Sequence, residues 1–139
     1  GQPQVRTVVH LHGHKVLPES DGYPEAWFTR GFAQTGPFFD NRVYHYPNDQ
    51  EATELWYHDH GLGTTRLNLY AGLEGFYFIR DTVEDRLDLP SGDFEVPLMI
   101  QDRVFNEDGS LALDHLWENI SRYYRTGVAG YVVIGSTGE

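Results

Sequence analysis

Apolar and polar residues alternate in several short runs, the period expected of strands with one buried face. Arg6 to His12 is rich in β-branched residues and reads as a strand that Gly13 ends. Phe38 to Tyr46, Glu54 to His60, Gly72 to Ile79 and Phe94 to Gln101 read as four more. Thr64 to Tyr70 predicts a short helical turn with Leu67 and Tyr70 facing inward. Between the first two strands, His14 to Gly36 is a long loop rich in turn formers, pinned to a core by Trp27, Phe28 and Phe32. Asn106 to Ser110 carries an Asp-Gly turn signal. Short strands separated by turns predict an all-β sandwich or barrel.

The end of the chain reads differently. Leu116, Ile120 and Tyr124 form a stripe that predicts a short helix over 113–124, followed by a strand over 127–134. That strand echoes residues 72–79, and the same register sets Asp114-His115 against Asp59-His60. The echo is short, and chance explains it best, because glycine and β-formers are common at strand starts.

Composition narrows the function classes. The chain has 139 residues, 40% of them hydrophobic and 14% aromatic, enough for one globular domain with a core. A formal net charge of −11 argues against a nucleic-acid partner. No apolar run is long enough to span a bilayer, and no signal peptide is visible. Cysteine is absent, which excludes a disulfide framework and any thiolate metal ligand.

Two histidine pairs stand out, His10-Leu11-His12 and His58-Asp59-His60, each at the end of a strand-like run. Residues i and i+2 of a strand point to one face, so each pair offers two imidazoles together, with Cα atoms about 6.5–7 Å apart. That span is wide for one ion and suits two neighbouring ions. Imidazoles without thiolates favour copper, zinc, iron or nickel over magnesium or calcium. His45 reads as structural, His115 as a surface or helix histidine, and His14 as either an extra ligand or an exposed side chain. Trp56 and Tyr57 read as packing near the pairs. Arg66 and Asn68 are as well suited to tying loops together as to the surface.

The motifs around both pairs resemble a known family. His-Leu-His-Gly (10–13), Ser-Asp-Gly-Tyr-Pro-Glu-Ala-Trp (20–27), Gln-Thr-Gly-Pro (34–37), Tyr-His-Tyr-Pro-Asn (44–48), Leu-Trp-Tyr-His-Asp-His (55–60) and Thr-Arg-Leu-Asn-Leu-Tyr-Ala-Gly-Leu (65–73) resemble the multicopper oxidases. Within them, the bacterial spore-coat laccase and bilirubin-oxidase-like group is the most similar. Val-Pro-Leu-Met-Ile-Gln-Asp-Arg (96–103) and Asn-Glu-Asp-Gly-Ser-Leu (106–111) fit the same group. The resemblance implies a cupredoxin-like Greek-key β-sandwich, partial here, over residues 1–111, with 112–139 a tail of uncertain relation packed on the same domain. It implies that His10 ligates a type 2 copper, and that His12, His58 and His60 ligate a type 3 pair, within a trinuclear cluster that reduces dioxygen to water. It places Asp21 at an acidic position that manages protons, whereas the residues alone read Asp21 as a turn former before Gly22. It leaves a spore-coat or extracytoplasmic location open.

The departures bear on activity. The family's type 1 copper needs a cysteine, and two further His-x-His pairs complete its cluster; this chain has neither. The expected role is therefore half of an oxygen-reducing copper site. The partners it implies are the remaining cupredoxin domains or another chain, dioxygen, and a phenolic or pigment reductant. The alternatives are a stand-alone copper-binding module without oxidase activity, and a decayed product without function.

Overall fold

The computed structural model describes residues 5–113. Within residues 5–97, three of the expected strands form and pair: β1 (Val9–His12), β2 (Thr53–Asp59) and β3 (Glu74–Ile79). They make one antiparallel sheet in the order β1-β2-β3. The register sets His10 against His58 and His12 against Trp56, and on the other side Trp56 against Phe76. Strand alternation then divides the sheet into two faces. His10, His12, Trp56 and His58 share one. Leu11, Leu55 and Ile79 share the other, where they form the buried core with Tyr46 and Tyr77 packed against it.

The helical turn forms as α1 (Thr65–Tyr70). Tyr70 is buried as expected, whereas Leu67 is 45% exposed. The long loop is tied down more tightly than its composition suggests. Thr7 and Phe28 exchange two main-chain hydrogen bonds of 2.9 Å, and Phe28 forms a second bridge to Thr35. The Phe28 ring lies 4.9 Å from Phe32 and 5.9 Å from Phe39. Arg6 stacks on Trp27 at 4.6 Å. No helix among the described residues is long and apolar enough to cross a membrane.

Two expected strands do not form. Residues 38–46 run as turns and extended coil, with Phe38 and Val43 exposed. Among the described residues their apolar alternation meets no neighbouring strand, and without a pairing partner a strand leaves its main-chain groups to water. Instead Arg42 covers the Phe32 ring, and the His45 main-chain N–H donates to the buried Ser20 hydroxyl at 3.0 Å. Residues 94–101 likewise pair with no strand among the described residues. Phe94 closes a short 3-10 turn (Gly92–Phe94), and Pro97 lacks the N–H a ladder needs.

Residues 98–113 belong to a second unit. Phe105 and Leu111 form an isolated antiparallel bridge around the Asp-Gly turn, where Gly109 takes the left-handed conformation (φ 82°). Hydrogen bonds from the Ser110 hydroxyl and main-chain N–H hold the Asp108 carboxyl below its usual range. The predicted helix over 113–124, the strand over 127–134 and His115 lie outside the described residues but for Leu113.

The core is small, so single side chains matter. Leu11 is 1% exposed and sits between two histidines of the opposite face. Leu11→Ala should lower unfolding stability by about 3 kcal/mol in a urea titration. A loss below about 1 kcal/mol would mean that this side of the sheet is not the packed one.

Candidate metal centre

Pairing β1 with β2 brings the two histidine pairs together. The His10 ring centroid lies 5.4 Å from His12, 5.3 Å from His58 and 5.1 Å from His60. His58 lies 5.6 Å from His12 and 5.5 Å from His60. One nitrogen from each of His10, His12 and His58 falls within a common 4.8 Å, a group able to hold a metal ion. Across the two strands, His12 Nδ1 and His58 Nε2 are 3.3 Å apart. Two imidazole nitrogens bound to one ion at about 2.0 Å with a tetrahedral angle stand about 3.3 Å apart. The donor set therefore fits a first-row ion that accepts nitrogen.

The rings are oriented from behind. His10 Nδ1 contacts the Asp21 carbonyl at 2.6 Å, and His58 Nδ1 contacts the Asp59 carbonyl at 2.8 Å. A carbonyl only accepts, so each Nδ1 carries the proton and each Nε2 keeps a free lone pair for a metal. This is the arrangement by which proteins fix the tautomer of a metal-binding histidine. Burial lowers the His58 pKa below the ordinary histidine value. The Asp59 carbonyl opposes that shift, and the neighbouring His10, His60 and His12 rings add to it.

Asp21 approaches His10 in two ways. Its carbonyl makes the short contact above, and its half-exposed carboxylate has Oδ1 3.4 Å from His10 Nδ1. Gly22 permits the approach. It takes a left-handed conformation (φ 77°), and a Cβ there would sit 1.8 Å from the Val9 carbonyl oxygen. Any other residue would push the Asp21 segment off β1 and free the His10 ring.

Asp59 had no role on sequence grounds beyond separating two histidines. In the structure it is 4% exposed and points away from the imidazoles. Its Oδ1 accepts from the Val8 main-chain N–H at 2.9 Å, and its Oδ2 accepts from Gly61 N at 3.1 Å and Asn68 Nδ2 at 2.9 Å. Asn68 Nδ2 also donates to the Arg6 carbonyl at 2.9 Å. One carboxylate thus joins the segment entering β1, the loop leaving β2 and α1. A carboxylate in a His-Asp-His run, followed by a buried amide on the next helix, was the available signal. Asn68 settles as a tie between loops, and Trp56 lies over the imidazoles at 4.3 Å from His58 and 5.4 Å from His12.

His14 is neither an exposed side chain nor a further member of the cluster. Gly13 (φ 82°) turns the chain after β1, and His14 is buried among Tyr46 and Tyr77. Its Nε2 lies 3.0 Å from the Asn48 side-chain oxygen, which also accepts from the Tyr77 hydroxyl at 3.0 Å. Burial, then the neighbouring Tyr44, Tyr77 and Asp21, pushes the Tyr46 hydroxyl up to about 12. His45 is exposed.

Asp59→Ala should cost on the order of 3 kcal/mol, because it leaves the Val8, Gly61 and Asn68 donors without their acceptor. Asp59→Asn, which keeps the shape and one acceptor, should cost less. Thermal unfolding of the three proteins checks this; equal stabilities would mean that the buried carboxylate ties nothing together.

Known proteins resemble this chain in sequence and in fold. Residues 3–84 match the sequence profile of the multicopper oxidases. A laccase from Bacillus stratosphericus is 60% identical over 110 residues, covering 79% of this chain and 22% of that protein. A laccase from Bacillus subtilis (strain 168) is 58% identical over 120 residues, covering 86% and 23%. Among solved structures, a multicopper oxidase from Pediococcus acidilactici superposes with a TM-score of 0.64 at 29% identity, covering 81% of this chain and 23% of that one. McoA, a multicopper oxidase from Aquifex aeolicus, gives 0.60 at 31%, covering 77% and 23%. The chain spans less than a quarter of the length of each of these relatives. The sheet and its loops are thus cupredoxin-like, and the chain belongs to the multicopper oxidase family.

Proposed function

We propose that this chain supplies half of a trinuclear copper site in a laccase-like oxidase. His10 ligates the type 2 copper, and His12, His58 and His60 ligate the type 3 pair. The observation that carries this reading is the 3.3 Å convergence of His12 Nδ1 and His58 Nε2, with the Nδ1 protons of His10 and His58 held on carbonyls behind. The remaining ligands, and the electron-accepting copper with its thiolate, come from other cupredoxin domains or another chain, because this one has no cysteine. The bound coppers would supply the four-electron reduction of dioxygen to water, with electrons taken from a phenolic or pigment reductant.

The chain's own residues have three tasks in that account. The carbonyls of Asp21 and Asp59 keep His10 and His58 in the tautomer that leaves Nε2 free. Burial of His58 keeps that ring neutral, and so able to ligate, below the pH at which a free imidazole protonates. The Asp21 carboxylate, half exposed and 3.4 Å from His10 Nδ1, holds and passes a proton at Oδ1 between solvent and the copper site.

Copper content per chain after reconstitution, read with native mass, tests the reading. The chain should bind copper and lose it when His58 and His60 are changed to Ala. It should oxidise no phenolic dye alone. Affinity should fall as the pH drops below about 6, since protons compete for the imidazoles. Copper bound equally well by the double variant, or affinity flat across that pH range, would overturn the ligand assignment. Dye oxidation by the pure chain would overturn its incompleteness.

A further inference from the structure

His12 differs from His10 and His58 in how its ring is held. His10 and His58 are each fixed from behind by a main-chain carbonyl. His12 has no such bond among the described residues, and the residue itself is exposed. The hydrogen bond it makes runs from Nδ1 to His58 Nε2. That bond uses the nitrogen that a metal would take, so metal binding gives it up. Something else must then hold the plane of the ring.

Trp56 is placed to do so. It is the cross-strand partner of His12 in the β1–β2 register. Its ring stacks on His12 at 5.4 Å with an interplanar angle of 28°, and lies 4.3 Å from His58 at 33°. One indole therefore covers both rings whose nitrogens converge. It is supported in turn, because its partner on β3 is Phe76, which stacks on Phe78 at 5.8 Å and 28°. Directly opposed side chains on one face of an antiparallel pair are the closest neighbours a sheet offers, and aromatic pairs there gain from stacking.

We infer that Trp56 is a positioning residue: its aromatic face sets the planes of His12 and His58 so that Nδ1 of the first and Nε2 of the second meet at one ion. It binds no metal itself. The property that matters is a flat aromatic surface, not the indole N–H. A flat ring at this position preserves the convergence, and an aliphatic side chain of similar bulk fills the space without fixing either plane. The inference rests on the proposed copper role of these histidines.

The test compares the unaltered chain with Trp56→Phe and Trp56→Leu. Two readouts are taken: Cu(II) affinity by competition with a chelator, and the number of imidazole nitrogens on the copper by pulsed electron paramagnetic resonance. Circular dichroism reports whether each variant is folded. The unaltered chain and Trp56→Phe should agree within about twofold, while Trp56→Leu should bind about tenfold more weakly and show fewer coordinated imidazoles. A purely structural role would change unfolding temperature and leave the nitrogen count of the folded fraction unchanged. A folded Trp56→Leu with unaltered affinity and nitrogen count would overturn the inference. So would a folded Trp56→Phe that loses binding, and this arm decides the matter if the leucine variant does not fold. Failure of the unaltered chain to bind copper would instead overturn the underlying copper reading.

Discussion

A carboxylate buried on the side of the sheet away from the imidazoles holds the ligand-bearing elements in place. Asp59 accepts hydrogen bonds from Val8, Gly61 and Asn68, three groups on three segments. Val8 lies two residues before His10, and Gly61 follows His60 directly. The carboxylate therefore fixes one end of each histidine pair, while the Asp59 carbonyl fixes the ring of His58. Carboxylate hydrogen bonds to main-chain N–H groups are among the stronger ones a protein makes. A buried carboxylate that lost those donors would be costly, so the native arrangement of all three segments is strongly preferred.

The middle residues of the two His-x-His runs show how the sheet divides its work. Leu11 and Asp59 both point away from the imidazoles. Leu11 enters the apolar core with Leu55 and Ile79, and Asp59 enters a polar clamp with α1. One pair is anchored by burial and the other by hydrogen bonds. The imidazole face can then remain partly open, as the proposed half-site requires if other domains are to complete it. The relatives are more than three times as long as this chain, which leaves room for such domains.

The sequence carried the parts of this arrangement that depend on period and on local turns. The strands at Val9–His12, Thr53–Asp59 and Glu74–Ile79 and the helical turn at Thr65–Tyr70 followed from alternation and breakers. The strands expected at 38–46 and 94–101 failed because alternation measures amphipathicity and says nothing about whether a partner strand is present. His14 shares parity with His10 and His12, but the left-handed Gly13 ends that parity and sends it into the core. Asp59 was hidden for a different reason. Its Val8 partner is 51 residues away, and no local pattern distinguishes a carboxylate that clamps two segments from a polar spacer between ligands.

In the proposed role, copper enters between β1 and β2 on the four clustered imidazoles. Substoichiometric Cu(II) added to the chain, with histidine ring signals followed by nuclear magnetic resonance, tests it most directly, because the ion broadens the rings nearest to it first. His10, His12, His58 and His60 should broaden together, before His14 and His45. Earlier broadening of His14 or His45, or broadening of all histidines alike, would contradict it.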